Sequence, residues 1–201
     1  MKLLENKVVI VTGGSRGIGK AICQSFAEHG CNVAFTYNNS KESADNLAKE
    51  LSKMGVKAKA YKSDASNHND ALKLIDDVLS DFEKIDILVN NAGINKTADF
   101  DKQTEEEWIE VIDINLSGPF RCIQESLSVI SNGGKIINIG SLSAEYGGPR
   151  TPSYACAKMG LTALTHNAAR FLGDRNICVN TLSPGVVGNE FTEKTMDPKV
   201  K

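Results

Sequence analysis

The sequence predicts an α/β fold: one parallel, doubly wound sheet with helices on both faces. Three observations carry this. Short apolar runs alternate with longer amphipathic stretches along the whole chain, the signature of repeated strand–helix units. Several of the runs are apolar almost throughout, as strands covered on both faces must be. A glycine-rich turn joins the first run to the first amphipathic stretch.

The elements follow in order. The predicted strands are 7–13 (KVVIVTG), 31–37 (CNVAFTY), 56–62 (VKAKAYK), 85–93 (IDILVNNAG), 135–141 (KIINIGS) and 176–185 (NICVNTLSPG). Apolar residues at helical spacing predict helices over 17–29, 41–54, 67–83, 104–130 and 153–172. TEEE at 104–107 reads as a capping box, with Thr104 as the cap and Glu107 reaching back to it. Its acidic run suits a helix N-terminus better than a metal.

The totals narrow the function. The 201 residues suffice for one domain with a buried core. A net charge of −2 gives no reason to expect nucleic acid or an anionic membrane as partner. His29, His68 and His166 are far apart and fit no metal pattern. The five cysteines form no CxxC and read as reduced thiols of a cytoplasmic protein. The start lacks the apolar stretch of a signal peptide, and no apolar run approaches the ~20 residues of a membrane span.

Chemistry concentrates at a few motifs. The first strand runs into TGGSRGIGKAI, with Gly13, Gly17 and Gly19 in the pattern TGxxxGxG. Glycine permits a tight turn and close approach of a pyrophosphate, and the following helix offers free N–H groups to it. Alone, such a turn is a weak sign; between strand 1 and helix 1 of an alternating pattern it points to a dinucleotide. Strand 4 ends in NNAG, residues 90–93, at the same end of the sheet. In YACAK, Tyr154 and Lys158 stand four positions apart, hence one turn apart on one helical face. A cation within ~4–6 Å favours a phenolate, so Lys158 is expected to lower the Tyr154 pKa from its ordinary ~10.

Together these pieces resemble the short-chain dehydrogenase/reductase family, a Rossmann-type fold, from Leu4 to about Phe191. The resemblance implies NADP(H) or NAD(H) as cofactor and reduction of a carbonyl by hydride transfer. It marks Asn115, Ser141, Tyr154 and Lys158 as the catalytic group. Ser141 precedes Tyr154 by 13 positions, the family spacing. By the resemblance Tyr154 donates the proton, Ser141 hydrogen-bonds the carbonyl oxygen, Lys158 also holds the nicotinamide ribose, and Asn115 supports a water relay. The cofactor residues it implies are Gly13, Ser15, Arg16, Gly17, Ile18, Gly19, Asn38, Asp64, Asn91, Ala92, Gly93, Tyr154, Lys158, Pro184, Gly185, Val187 and Asn189. The resemblance places Asp64 near the adenine, with a helix cap for 67–83 as the second reading.

NADP(H) is favoured over NAD(H), because no acid stands in FTYNNS after strand 2 and Arg16 offers a cation for a 2′-phosphate. The pattern is most similar to bacterial 3-oxoacyl-[acyl-carrier-protein] reductases, which implies a 3-oxoacyl thioester as substrate and acyl carrier protein as partner. Arg175 matches a basic position of that group, whereas the stretch before Lys135 carries no other basic residue. A general ketone, sugar or polyol dehydrogenase, or a non-catalytic nucleotide-binding regulator, stays open. Gly140 stands where many relatives have a serine, and Asn189 where a threonine is frequent. Relatives continue past position 201 with a last helix and strand, so the expectation is a fragment or an abbreviated member, with strand 6 an open edge. A homodimer or homotetramer is expected, paired through helices 104–130 and 153–172.

Overall fold

The structure, a computed structural model, describes residues 2–188. Six strands form one sheet: β1 (Val8–Val11), β2 (Asn32–Tyr37), β3 (Ala58–Lys62), β4 (Ile85–Asn90), β5 (Ile130–Ile139) and β6 (Cys178–Leu182). Their order is β3-β2-β1-β4-β5-β6, and every pairing is parallel. The chain starts in the middle, builds outward through β3, then crosses to β4. The crevice beyond the carboxyl ends of β1 and β4 is therefore the switch point where such sheets bind ligands.

Burial follows position in the sheet. Every residue of β1 and β4 is buried, whereas the edge strand β6 exposes alternate residues and the edge strand β3 exposes Lys59 and Lys62. Successive β1 side chains point to opposite faces. Val8 and Ile10 join a core with α3 (His68–Phe82), α5 (Gly118–Ser126) and α7 (Pro152–Leu172). Val9 and Val11 join a second core with α1 (Gly17–Glu28) and α2 (Lys41–Ser52). Helices thus cover both faces, as the continuous apolar runs require.

Two expectations need correction. The helix expected over 104–130 is three pieces: α4 (Glu105–Ile112), a π-helical turn at Asp113–Ser117, and α5. The capping box of α4 is present, with both Thr104 and Glu107 engaged. Residues from Ile130 belong to β5, which pairs with Ile85 before a register shift and resumes beside Ile87 at Lys135. The irregular SNGG stretch is tolerated there because Gly133 takes φ +77°. A short helix, α6 (Ser143–Tyr146), precedes α7. Among the described residues no helix is long and apolar enough to cross a membrane, and no cluster of His, Cys, Asp and Glu could hold a metal.

Candidate active site

The glycine turn is built for close approach. Gly13 has φ +66° and Gly17 φ +54°, conformations open to glycine at little cost. A Cβ on Gly19 would lie 2.3 Å from the Gly13 carbonyl oxygen and 2.6 Å from Asn91 Nδ2. Asn91 locks the turn by donating from Nδ2 to Thr12 O (2.9 Å) and Gly13 O (3.1 Å). Thr12 Oγ1 in turn accepts from the backbone N–H groups of Asn91 and Ala92, both at 3.0 Å. At the helix start, Arg16 occupies the cap position without a side-chain cap, so the first N–H groups of α1 stay available. Ser15 is buried, Ile18 half-buried and Arg16 exposed. Bare backbone, positive-φ glycines and an uncapped helix start fit a dinucleotide's pyrophosphate.

At the outer end of the crevice, Asn38 follows β2 and hydrogen-bonds the Asp64 carboxylate. Asp64 also accepts from Ser66 Oγ (2.7 Å) and Ser66 N (2.9 Å), and the Ser66 bonds hold its carboxyl below the usual range. The helix-cap reading of Asp64 is corrected here: Asn67 caps α3, accepting from Asn69 N at 2.9 Å.

Around Gly93 the other groups meet. A Cβ there would come within 2.6 Å of Asn115 Oδ1 and 3.7 Å of Lys158 Nζ. Asn115 is fully buried; its Nδ2 donates to Val111 O (2.8 Å) and Ile94 O (2.9 Å), while its Oδ1 has no partner among the described residues. Lys158 is buried and donates from Nζ to Ile139 O (2.7 Å), with Nζ 5.6 Å from the centre of the Tyr154 ring. Burial pushes the Lys158 ammonium down to about 8. Ser141 Oγ accepts from Ser143 N (3.1 Å) and shares a hydrogen bond with the Tyr154 hydroxyl.

The expected lowering of the Tyr154 pKa is also corrected. Burial dominates and raises it, and the Ser141 hydrogen bond opposes this only in part. Lys158 spends its ammonium on the Ile139 carbonyl rather than on the phenol.

Pro184 and Gly185 sit beside this group: Leu142 N donates to Pro184 O (3.1 Å), and a Cβ on Gly185 would lie 3.2 Å from Leu142 Cδ1. Val187 is exposed next to them, and Asn189 lies outside the described residues.

Some contributors escaped the sequence reading. Thr12 was one. Another is a buried ladder in which Asn90 Nδ2 donates to Asn138 Oδ1 (2.8 Å) and Asn138 Nδ2 to Thr165 Oγ1 (2.9 Å), tying β4 and β5 to α7. An asparagine inside an otherwise apolar strand was the available signal, since a buried amide must find partners.

A profile of the short chain dehydrogenase family matches residues 7–199. A 3-oxoacyl-[acyl-carrier-protein] reductase of Staphylococcus epidermidis is 39% identical over 194 residues, covering 96% of this chain and 80% of that protein. A blue fluorescent protein from a metagenomic library, solved in complex with NADPH, superposes with a TM-score of 0.90 at 36% identity, over 93% of this chain and 77% of that one. A short chain dehydrogenase of Burkholderia cenocepacia, in complex with NADP, gives a TM-score of 0.91 at 34% identity, again over 93% and 77%.

Proposed function

The chain belongs to the short chain dehydrogenase family, and we propose that it reduces a carbonyl to an alcohol with NADPH, the substrate being a 3-oxoacyl thioester. The observation that carries this is the placement of Asn115 and Lys158 against Gly93 at the switch point of the sheet, with Tyr154 beside Lys158 and hydrogen-bonded to Ser141. When bound, the nicotinamide supplies a hydride for the carbonyl carbon.

The rest is work for the side chains. Burial keeps the Tyr154 phenol protonated at neutral pH, so Tyr154 is ready as the proton donor to the carbonyl oxygen. Ser141 stabilises negative charge on that oxygen and then on the phenolate. Lys158, still largely cationic at neutral pH, favours the phenolate left behind. The open Oδ1 of Asn115 accepts from a water that returns a proton toward the site. Gly13, Ser15, Gly17, Ile18, Gly19, Asn91, Ala92, Pro184, Gly185 and Val187 would hold the cofactor, with Asn38 and Asp64 at its adenine end. The chain 1–201 is read as one such domain.

NADP(H) over NAD(H) is supported by the exposed Arg16, by the absence of an acid at Asn38–Ser40, and by the cofactors of the two solved relatives. Arg175 argues for a second reading of the substrate. Its guanidinium is held on Asn132 Oδ1 (2.9 Å) and on the carbonyls of Leu127 and Ile130, which leaves it poorly placed for an acidic carrier. A ketone or thioester without a carrier protein is that reading.

The test is NADPH absorbance against ketones, pantetheine-type 3-oxoacyl thioesters and carrier-bound ones. Oxidation should occur with at least one, and Tyr154→Phe should slow it about 10²–10⁴-fold while NADPH still binds. No oxidation with any of them would reject the reading; a carrier-free preference would favour the second substrate class.

A further inference from the structure

Helix α7 carries Tyr154 and Lys158, yet its N-terminus is not capped by its own residues. The cap position, Thr151, makes no side-chain cap hydrogen bond, and its hydroxyl donates instead to Gly148 O at 2.9 Å. Pro152 opens the helix and has no N–H, so the N–H of Ser153 is the first that needs a partner. That partner comes from far along the chain. Gln103 Oε1 accepts from Ser153 N (3.1 Å), and Gln103 Nε2 donates to Ser153 Oγ (2.8 Å). Ser153 is fully buried, and Tyr154 is the next residue.

The segment bearing Gln103 is itself held at both ends. On one side Ala98 N donates to Arg150 O (3.0 Å), and Arg150 Nε pairs with Asp99 Oδ1 (2.8 Å). On the other, Thr104 caps α4. Arg150 takes φ +55°, a left-handed conformation that costs a side-chain-bearing residue energy and aims this loop at the 98–103 segment. A two-point amide grip on a buried serine, on a loop fixed at both ends, leaves the first turn of α7 one position.

We propose that Gln103 is a positioning residue for Tyr154: it caps α7 in place of Thr151 and sets where the phenol stands. The proposal rests on the carbonyl reduction argued above. A displacement of about 1 Å at a reacting group can cost ~10²-fold, so a loosened first turn should show in kcat before it shows in cofactor binding.

Three variants test it, each followed by hydrogen exchange at the first turn of α7, by NADPH affinity, and by kcat per bound NADPH. Gln103→Ala should speed exchange at Ser153–Tyr154 and lower kcat roughly tenfold, with NADPH affinity within about twofold of wild type. Gln103→Glu keeps an acceptor for the Ser153 N–H and can accept from its hydroxyl, so it should restore most of both. Thr104→Ala loosens one end of the Gln103 segment but leaves the two Gln103–Ser153 hydrogen bonds in place, so it should lower kcat less than Gln103→Ala does. Unchanged exchange or unchanged kcat in Gln103→Ala overturns the proposal, as does an equal loss in Thr104→Ala. A wild type that binds NADPH but reduces no carbonyl overturns the proposed reaction instead. The exchange measurement then still decides whether Gln103 caps α7.

Discussion

Burial brings the Lys158 ammonium from its ordinary 10.5 down to about 8, and this has a consequence for stability. Below pH 8 both folded and unfolded chains hold the proton, and the fold bears the full cost of a buried charge. Between 8 and 10.5 the unfolded chain binds more protons, so stability rises with pH. Lys158→Met should therefore be more stable than wild type at pH 7. Relief of charge burial is worth roughly 3 kcal/mol, against about 1.5–3 kcal/mol for the lost charge-assisted hydrogen bond to Ile139, so the gain at pH 7 is small. Urea midpoints should show that advantage shrinking toward pH 10; an advantage constant with pH would contradict the assignment. At the other end of the crevice, Arg16→Ala should raise KM for NADPH roughly tenfold or more and leave NADH unaffected, the loss expected for a charge-assisted contact. Equal use of NADH and NADPH by the wild type would remove the case for Arg16. Tyr154 and Lys158 were legible as a pair because their spacing is carried by the chain itself, whereas Ser141 and Asn115 were marked only by the family resemblance. Gln103 was not legible, because its partner lies 50 residues away.

Among the elements, the π-helical turn at Asp113–Ser117 is the feature that periodicity could not reveal. An amphipathic pattern tolerates one widened turn, and such turns recur at functional sites. Here the turn carries Asn115, turned inward where its amide reaches Val111 O and Ile94 O. Strands β5 and β6 make a second point. Gly140 was expected to replace a serine found in relatives, and the packing accounts for it. A Cβ at Gly140 would stand 2.7 Å from Thr181 Cγ2 and 2.8 Å from Ser183 Oγ. Thr181 is held by its hydrogen bond to Thr165 (2.7 Å). Gly140→Ser should thus cost about 1–3 kcal/mol by overpacking, read as a lower urea midpoint. Adding Thr181→Ser should recover part of it; no loss in the single variant would mean that β6 yields freely.

For the whole molecule, the surface of α4, α5 and α7 is the expected pairing face. Trp108, Ile109, Phe120, Met159 and Phe171 all expose large apolar side chains there, and Phe171 is 72% exposed. Exposed large apolar side chains on these helices suit the expected pairing. Light scattering should find at least a dimer, and Ile109→Lys with Phe171→Lys should yield monomer without altering NADPH affinity. Monomer in the wild type would count against this face. At the sheet's edge, β6 pairs with β5 and with no other described strand.

What the sequence determined by itself was local. Alternating apolar runs and amphipathic stretches set the strands, the helices and their right order for a doubly wound sheet. The glycine turn and the YxxxK pair announced their own geometry, since turn conformation and helical spacing depend on near neighbours. What only the tertiary structure decided was non-local. Gly93 must lack a side chain because Asn115 Oδ1 arrives there from another element. The Tyr154 phenol is raised, not lowered, because burial outweighs a cation that has turned to the Ile139 carbonyl. The start of α7 is held by Gln103. Burial and long-range hydrogen bonding arise only when distant segments pack, and no period or spacing along the chain encodes them.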